Sequence, residues 1–117
     1  MKSIDIKGTD YIPVNERIKE FRRLHPKGQI LTSILANADN QVMFKAEVII
    51  DDVLVATGHA YEKEGSSFIN KTSYIENCET SAVGRALGIY GIGIDTSLAS
   101  ADEVANAVTQ QKEDFKL

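Results

Sequence analysis

The chain has 117 residues, 43% hydrophobic and 26% charged, with one cysteine and a formal net charge of −4. That size and balance describe one globular domain able to bury a core of its own. They exclude a disulfide framework within the chain, and they argue against a protein that coats nucleic acid through bulk positive charge. No apolar run approaches the roughly 20 residues that cross a bilayer. The opening MKSIDIKGTD lacks the apolar segment of a signal peptide. A cytoplasmic protein with no membrane partner is the expectation.

The element pattern predicts a single α+β domain over residues 1–117. Residues 1–10 read as an extended or loose leader. Pro13 lacks an amide donor and has a helix-compatible φ, so it suits a helix start. From there Val14, Ile18, Phe21 and Leu24 or His25 recur at helical spacing, with Arg17, Lys19, Glu20, Arg22 and Arg23 on the other faces. Pro26 disfavours helical geometry at His25, and Lys27-Gly28 makes the turn. Three strands then alternate with period two, at 29–37, 41–50 and 53–63. The first carries Ile30, Thr32, Ile34 and Ala36 on one side. The second carries Val42, Phe44, Ala46, Val48 and Ile50. In the third, Val53, Val55, Thr57, His59 and Tyr61 share one face and Leu54, Ala56, Gly58, Ala60 and Glu62 the other. Asp39-Asn40 and Asp51-Asp52 are turn pairs, so the strands form an antiparallel meander.

A second helix is predicted from 72 to about 90. Ile75, Cys78, Ala82, Ala86 and Ile89 form one face and Asn77, Ser81, Gly84 and Gly88 the opposite stripe. Gly91 and Gly93 end it. Ser100-Ala101-Asp102-Glu103 reads as a capping box opening a short helix at about 101–111, and 112–117 reads as a frayed tail. The fold expectation is thus an N-terminal helix, a three-stranded antiparallel β-meander, a long helix packed on the sheet and a short C-terminal helix.

Charge is unevenly spread: residues 1–28 carry a net +3 and residues 29–117 a net −7. Such asymmetry serves a bound polyanion, self-association of a basic head with an acidic body, or simply a solvated helix face. Catalytic chemistry is sparse. His25, His59 and Cys78 stand on different elements without ligand spacing, and no nucleophile–base pair emerges. Cys78 reads as a buried small hydrophobe. No enzyme activity, metal or cofactor is expected.

The segment 66–93 is denser. Gly84 and Gly88 lie four apart, and each costs about 1 kcal/mol in a helix interior relative to alanine. Something therefore approaches this backbone closely: the sheet, a neighbouring subunit or a ligand. Arg85 is isolated among small residues and can reach a phosphate or a carboxylate, or pair with an acid of its own chain. Asn70, Lys71, Thr72, Ser73 and Tyr74 gather donors at the helix start, suited to an anion or to capping alone.

Residues 79–91, ETSAVGRALGIYG, resemble the signature helix of the single-strand annealing recombinases, the Rad-fifty-two-like proteins of eukaryotes and phages. That helix also ends in an Arg-Ala-Leu run followed by an aromatic and a glycine. The order of helix, meander and long helix is similar too. The resemblance implies a small phage-type member acting in recombination in a bacterial host's cytoplasm. It implies a homo-oligomeric ring or helix whose groove holds single-stranded DNA by its phosphates, independent of sequence. Arg85 matches the basic position that faces the groove. Arg17, Arg22, Arg23, Lys27, Lys45, Lys71 and the ring of Tyr74 complete the candidate DNA-binding set, with Phe68 as another ring near Lys71. The alternative is a small phage or mobile-element interaction module that binds or inhibits a host protein without binding DNA.

Overall fold

The computed structural model describes residues 1–94 together with Glu103 and Ala105. Within the segment read as an extended or loose leader, the chain forms a hairpin. β1 (Ile4–Ile6) pairs antiparallel with β2 (Thr9–Tyr11), and Ile6 stands opposite Thr9. The connecting Lys7 and Gly8 both have positive φ, and the Gly8 amide donates to Asp5 Oδ1 at 2.7 Å. This is the turn geometry that matches strand twist.

α1 spans Val14–Leu24, with Pro13 at its start and His25 extended at its end (φ −134°, ψ 77°). The proline rules at both ends hold. β3 (Gln29–Ala38), β4 (Gln41–Ile50) and β5 (Val53–Lys63) then form a three-stranded antiparallel sheet in the order β3-β4-β5. Asp39, Asn40, Asp51 and Asp52 all have positive φ, so both connections are two-residue turns made without glycine.

The alternation is broken twice. Between Ile34 and Ala36 the β3 register shifts, so Ala36 stands opposite Met43, on the other face from Ile30, Thr32 and Ile34. A second shift places Val48 opposite Ala56 but Ile49 opposite Leu54. Each is a one-residue bulge that reverses the facing of the residues beyond it.

A single 3₁₀ turn, Ile69–Lys71, precedes α2 (Tyr74–Tyr90), which starts two residues later than the pattern suggests and ends at Gly91 (φ 124°). α2 lies across β5 and β4 and barely reaches β3. Its residues Cys78, Ser81, Ala82, Val83, Gly84, Ala86, Leu87 and Gly88 are all buried, on both stripes. Ile89, expected on the core face, is instead exposed. Two glycines explain the double burial. A Cβ on Gly58 of β5 would lie 2.6 Å from the Ala82 carbonyl oxygen and 2.9 Å from Ala86 Cα, so α2 rests its backbone on the sheet there. A Cβ on Gly84 would lie 2.6 Å from Val14 Cγ2, so α1 presses on the other side. The close approach to the glycine stripe is therefore made by α1.

The core joins Val14 and Phe21 of α1, Val42, Phe44, Ala46 and Val48 of β4, and Cys78, Ala82, Ala86 and Leu87 of α2. The Cys78 thiol donates to the Ala60 carbonyl at 3.3 Å, and burial pushes its pKa up to about 11. At the far end of α1, Phe21, His25 and Tyr90 form an aromatic cluster, with the Tyr90 hydroxyl 2.9 Å from His25 Nε2. Of the C-terminal helix expected at 101–111 only Glu103 and Ala105 are described, both helical; the rest of it, and the tail, lie outside the described residues. Among the described residues no helix is long and apolar enough to cross a membrane.

Candidate nucleic-acid interface

The structure disperses the eight candidate side chains. Arg17 is buried, 2% exposed, and donates from Nη1 to the Ile92 carbonyl; burial lowers its pKa. It ties α1 to the chain beyond α2 and is closed to a nucleic acid. Arg22 donates to the Gly28 carbonyl and lies 5.5 Å from the Phe21 ring centroid. Arg23 is held by Glu20, and the Arg85 guanidinium forms an ion pair with Glu103 at 2.9 Å. Tyr74 is half-buried and packs against the core rather than presenting its ring. Lys27 is exposed in the turn after α1. Lys45 projects from the sheet face opposite the helices, and Lys71 is exposed before α2. No single groove collects the set.

The sheet's two faces explain the division. Directly paired residues of antiparallel strands share a face. Val42, Phe44, Ala46 and Val48 are buried under α2, so Met43, Lys45 and Glu47 point the other way. Lys45 has Ser33 of β3 and His59 of β5 as its cross-strand neighbours. Next along, Met43 pairs with Tyr61 and Gln41 with Lys63. Tyr61 is 53% exposed, its hydroxyl donating to Gln41 Oε1 at 3.0 Å. A shallow cleft of about 260 Å³ lies beside it, lined by Ala36, Ala38, Asp39, Gln41, Val42 and Met43. The open face thus interleaves Lys45 and Lys63 with His59 and Tyr61.

Beyond Lys63 the chain enters the loop 64–68, and the 3₁₀ turn comes next. Buried Asn70 holds this segment. Its Nδ2 donates to Glu62 Oε2 at 2.7 Å and Ser66 Oγ at 2.9 Å. Its Oδ1 accepts from Asn77 Nδ2 at 3.0 Å, and its carbonyl accepts from the Gly65 amide at 2.9 Å. A buried amide with this many partners fixes one arrangement. The Glu64 amide also donates to the Asn40 carbonyl at 2.8 Å, seating the loop against the β3–β4 turn. The clamp leaves Phe68 88% exposed, the most exposed of the described large hydrophobics. Lys27, Lys45, Lys63 and Lys71 have no ion-pair partner among the described residues.

The sequence signal for the open face is the set of polar and aromatic residues at alternate positions 57, 59, 61 and 63. Period-two alternation groups three of these on one face but does not identify that face as the uncovered one. His25, His59 and Cys78 lie respectively in the aromatic cluster, on the open face and in the core, and do not converge.

Residues 18–90 match a family described as Slr1353 N-terminal dsRNA-binding domain-like. No curated protein and no solved structure matches the chain. The family match runs from Ile18 within α1 through the meander to the end of α2, and it overturns the assignment to the Rad-fifty-two-like annealing recombinases. The residues behind that resemblance have a structural explanation. Gly84, Ala86, Leu87 and Gly88 are buried where α2 meets α1 and the sheet, and Arg85 pairs with Glu103.

Proposed function

Because the chain belongs to the Slr1353 N-terminal dsRNA-binding domain-like family, we propose that it is a nucleic-acid-binding domain without enzyme chemistry, gripping the phosphate backbone from its open sheet face and the adjoining loop. The observations that support this reading are Lys45 and Lys63 on the open face with exposed Tyr61, and Lys71 three residues from exposed Phe68 in the segment that follows, all three lysines without an ion-pair partner among the described residues. Backbone contacts of this kind position a protein on nucleic acid without reading sequence. Duplex RNA is recognised largely through shape and backbone, which suits the family description. With a net charge of −4, the protein relies on local rather than bulk attraction, so binding is weak and salt-sensitive.

The test is fluorescence anisotropy with labelled duplex RNA and labelled single strands, at low and moderate salt. If three lysines each neutralise one phosphate, log K falls against log[salt] with a slope of about −2 on single strands and about −2.7 on a duplex. Absence of binding at low salt to any of these probes overturns the reading.

A second reading, a protein-interaction module or homo-oligomer, is favoured by β3. Its ten residues, QILTSILANA, contain no charge, and Leu31, Ile34 and Leu35 are each about half exposed along a sheet edge. Edges normally carry charge or cover. Light scattering coupled to size-exclusion chromatography tests it: a monomer at high concentration removes self-association.

A further inference from the structure

Phe68 and Lys71 form a two-part feature that phosphate binding alone does not explain. The Lys71 amide donates to the Phe68 carbonyl at 3.3 Å, closing one 3₁₀ turn. In that geometry side chains three apart eclipse one another. A ring that is 88% exposed and an exposed ammonium therefore stand on the same side of one turn. The turn is held by Asn70, 1% exposed, whose side chain bonds Glu62, Ser66 and Asn77. A solvent-facing phenylalanine gains nothing for the fold, and its rigid mounting removes the entropy that a flexible loop would lose on binding. Glu64 is the only acid in 64–71, against Lys71 at its end and Lys63 just before it.

We propose that Phe68 is a stacking platform for one unpaired nucleobase, with Lys71 taking the phosphate next to it, so that an unpaired base in a strand, loop or frayed end adds a contact that closed duplex does not offer. This rests on the nucleic-acid reading above and names the substrate class within it. Bases inside a duplex already stack on one another and offer no free face to a protruding ring. An unpaired base offers such a face, and every base has one, so the contact is independent of sequence. The ring and ammonium address base and phosphate, which RNA and DNA share.

The experiment compares wild type, Phe68→Ala and Phe68→Trp by anisotropy on four labelled probes: a mixed-sequence RNA strand, its DNA counterpart, an abasic strand of equal length and a blunt RNA duplex. Because Phe68 is solvent-exposed, Phe68→Ala keeps the wild-type melting temperature. The expected result is that Phe68→Ala binds both base-bearing strands at least about fivefold more weakly, the lower end of the stacking contribution. Phe68→Trp restores binding, and the abasic strand and duplex bind all three proteins alike. Unchanged affinity of Phe68→Ala for both base-bearing strands overturns the stacking proposal and leaves the nucleic-acid reading standing. An equal loss on the abasic strand also overturns it, because the ring then acts through something other than a base. No binding of wild type to any probe overturns both.

Discussion

Gly58→Ala is the most direct probe of how α2 sits on the sheet. The added methyl would stand 2.6 Å from the Ala82 carbonyl oxygen and 2.9 Å from Ala86 Cα. Both are backbone atoms of a 17-residue helix, and no rotamer change moves them. α2 must retreat by somewhat under an ångström, and a gap of that size forfeits a quarter to a half of the dispersion energy of the atoms lining it. Those atoms belong to the central seam, Cys78, Ala82 and Ala86 against Phe44, Ala46 and Val48. Overpacking of this kind costs about 1–3 kcal/mol. The reduced entropy of the unfolded alanine chain returns about 0.4–1 kcal/mol. The net loss is about 1–2 kcal/mol, which lowers a urea midpoint by about 0.5–1 M at a typical slope of about 2 kcal/mol/M. Gly84→Ala is the control: its clash is with the Val14 Cγ2 methyl, which can adjust, and a helix-interior glycine gains about 1 kcal/mol on becoming alanine. Its midpoint should stay within about 0.5 M of wild type. A Gly58→Ala midpoint at or above that of wild type would refute the close approach.

Arg17→Ala orphans the Ile92 carbonyl and costs about 1–3 kcal/mol from that alone, read by urea denaturation, with no change in the salt slope of nucleic-acid binding. Arg85→Ala removes an ion pair with partners 33% and 45% exposed, so stability should move by no more than about 1 kcal/mol in a thermal or urea melt. Cys78, with its pKa raised to about 11, stays a neutral thiol in the fold while an unfolded thiol ionises near pH 8.5. The unfolded state therefore binds fewer protons as pH rises from about 9 toward 11, and the contribution of this site to stability falls over that window. Cys78→Ala should remove that part of the pH dependence, and native protein at pH 8 should resist thiol alkylation until unfolded. Lys45→Gln should reduce the salt slope of binding by about 0.7–0.9, one phosphate contact.

Sequence pattern reads this fold well wherever one period governs an element. α1, the meander and most of α2 fall where apolar spacing and the Pro13, Pro26 and Gly91 signals place them. It reads poorly where one residue changes the count: the bulges after Ile34 and Val48 reverse facings that strict alternation extends. The β1–β2 hairpin escapes pattern because three-residue strands are too short to show a period. The burial of Arg17 is legible in principle, since Val14, Arg17, Ile18 and Phe21 together make one helical stripe, and charge alone assigns it to the surface. Phe68 is legible as a candidate ring near Lys71, but its rigid mounting is not, because that arises from the hydrogen bonds of Asn70 to Glu62, Ser66 and Asn77, a three-dimensional convergence with no linear signature.

The two-residue turns at Asp39-Asn40 and Asp51-Asp52 have a consequence for the order of assembly. Every strand of the main sheet pairs with its immediate sequence neighbour, so the sheet needs only local closure, which is fast. The contacts that complete the core are of the opposite kind. Arg17 meets Ile92 across 75 positions, and Val14 meets Gly84 across nearly as many. On a growing chain α1 is made before the meander, yet the contacts that hold it, at Gly84 and Ile92, emerge only after it. The meander can pair in the interval with its helix-facing side bare, and the step that commits the molecule is the arrival of α2 between the sheet and α1.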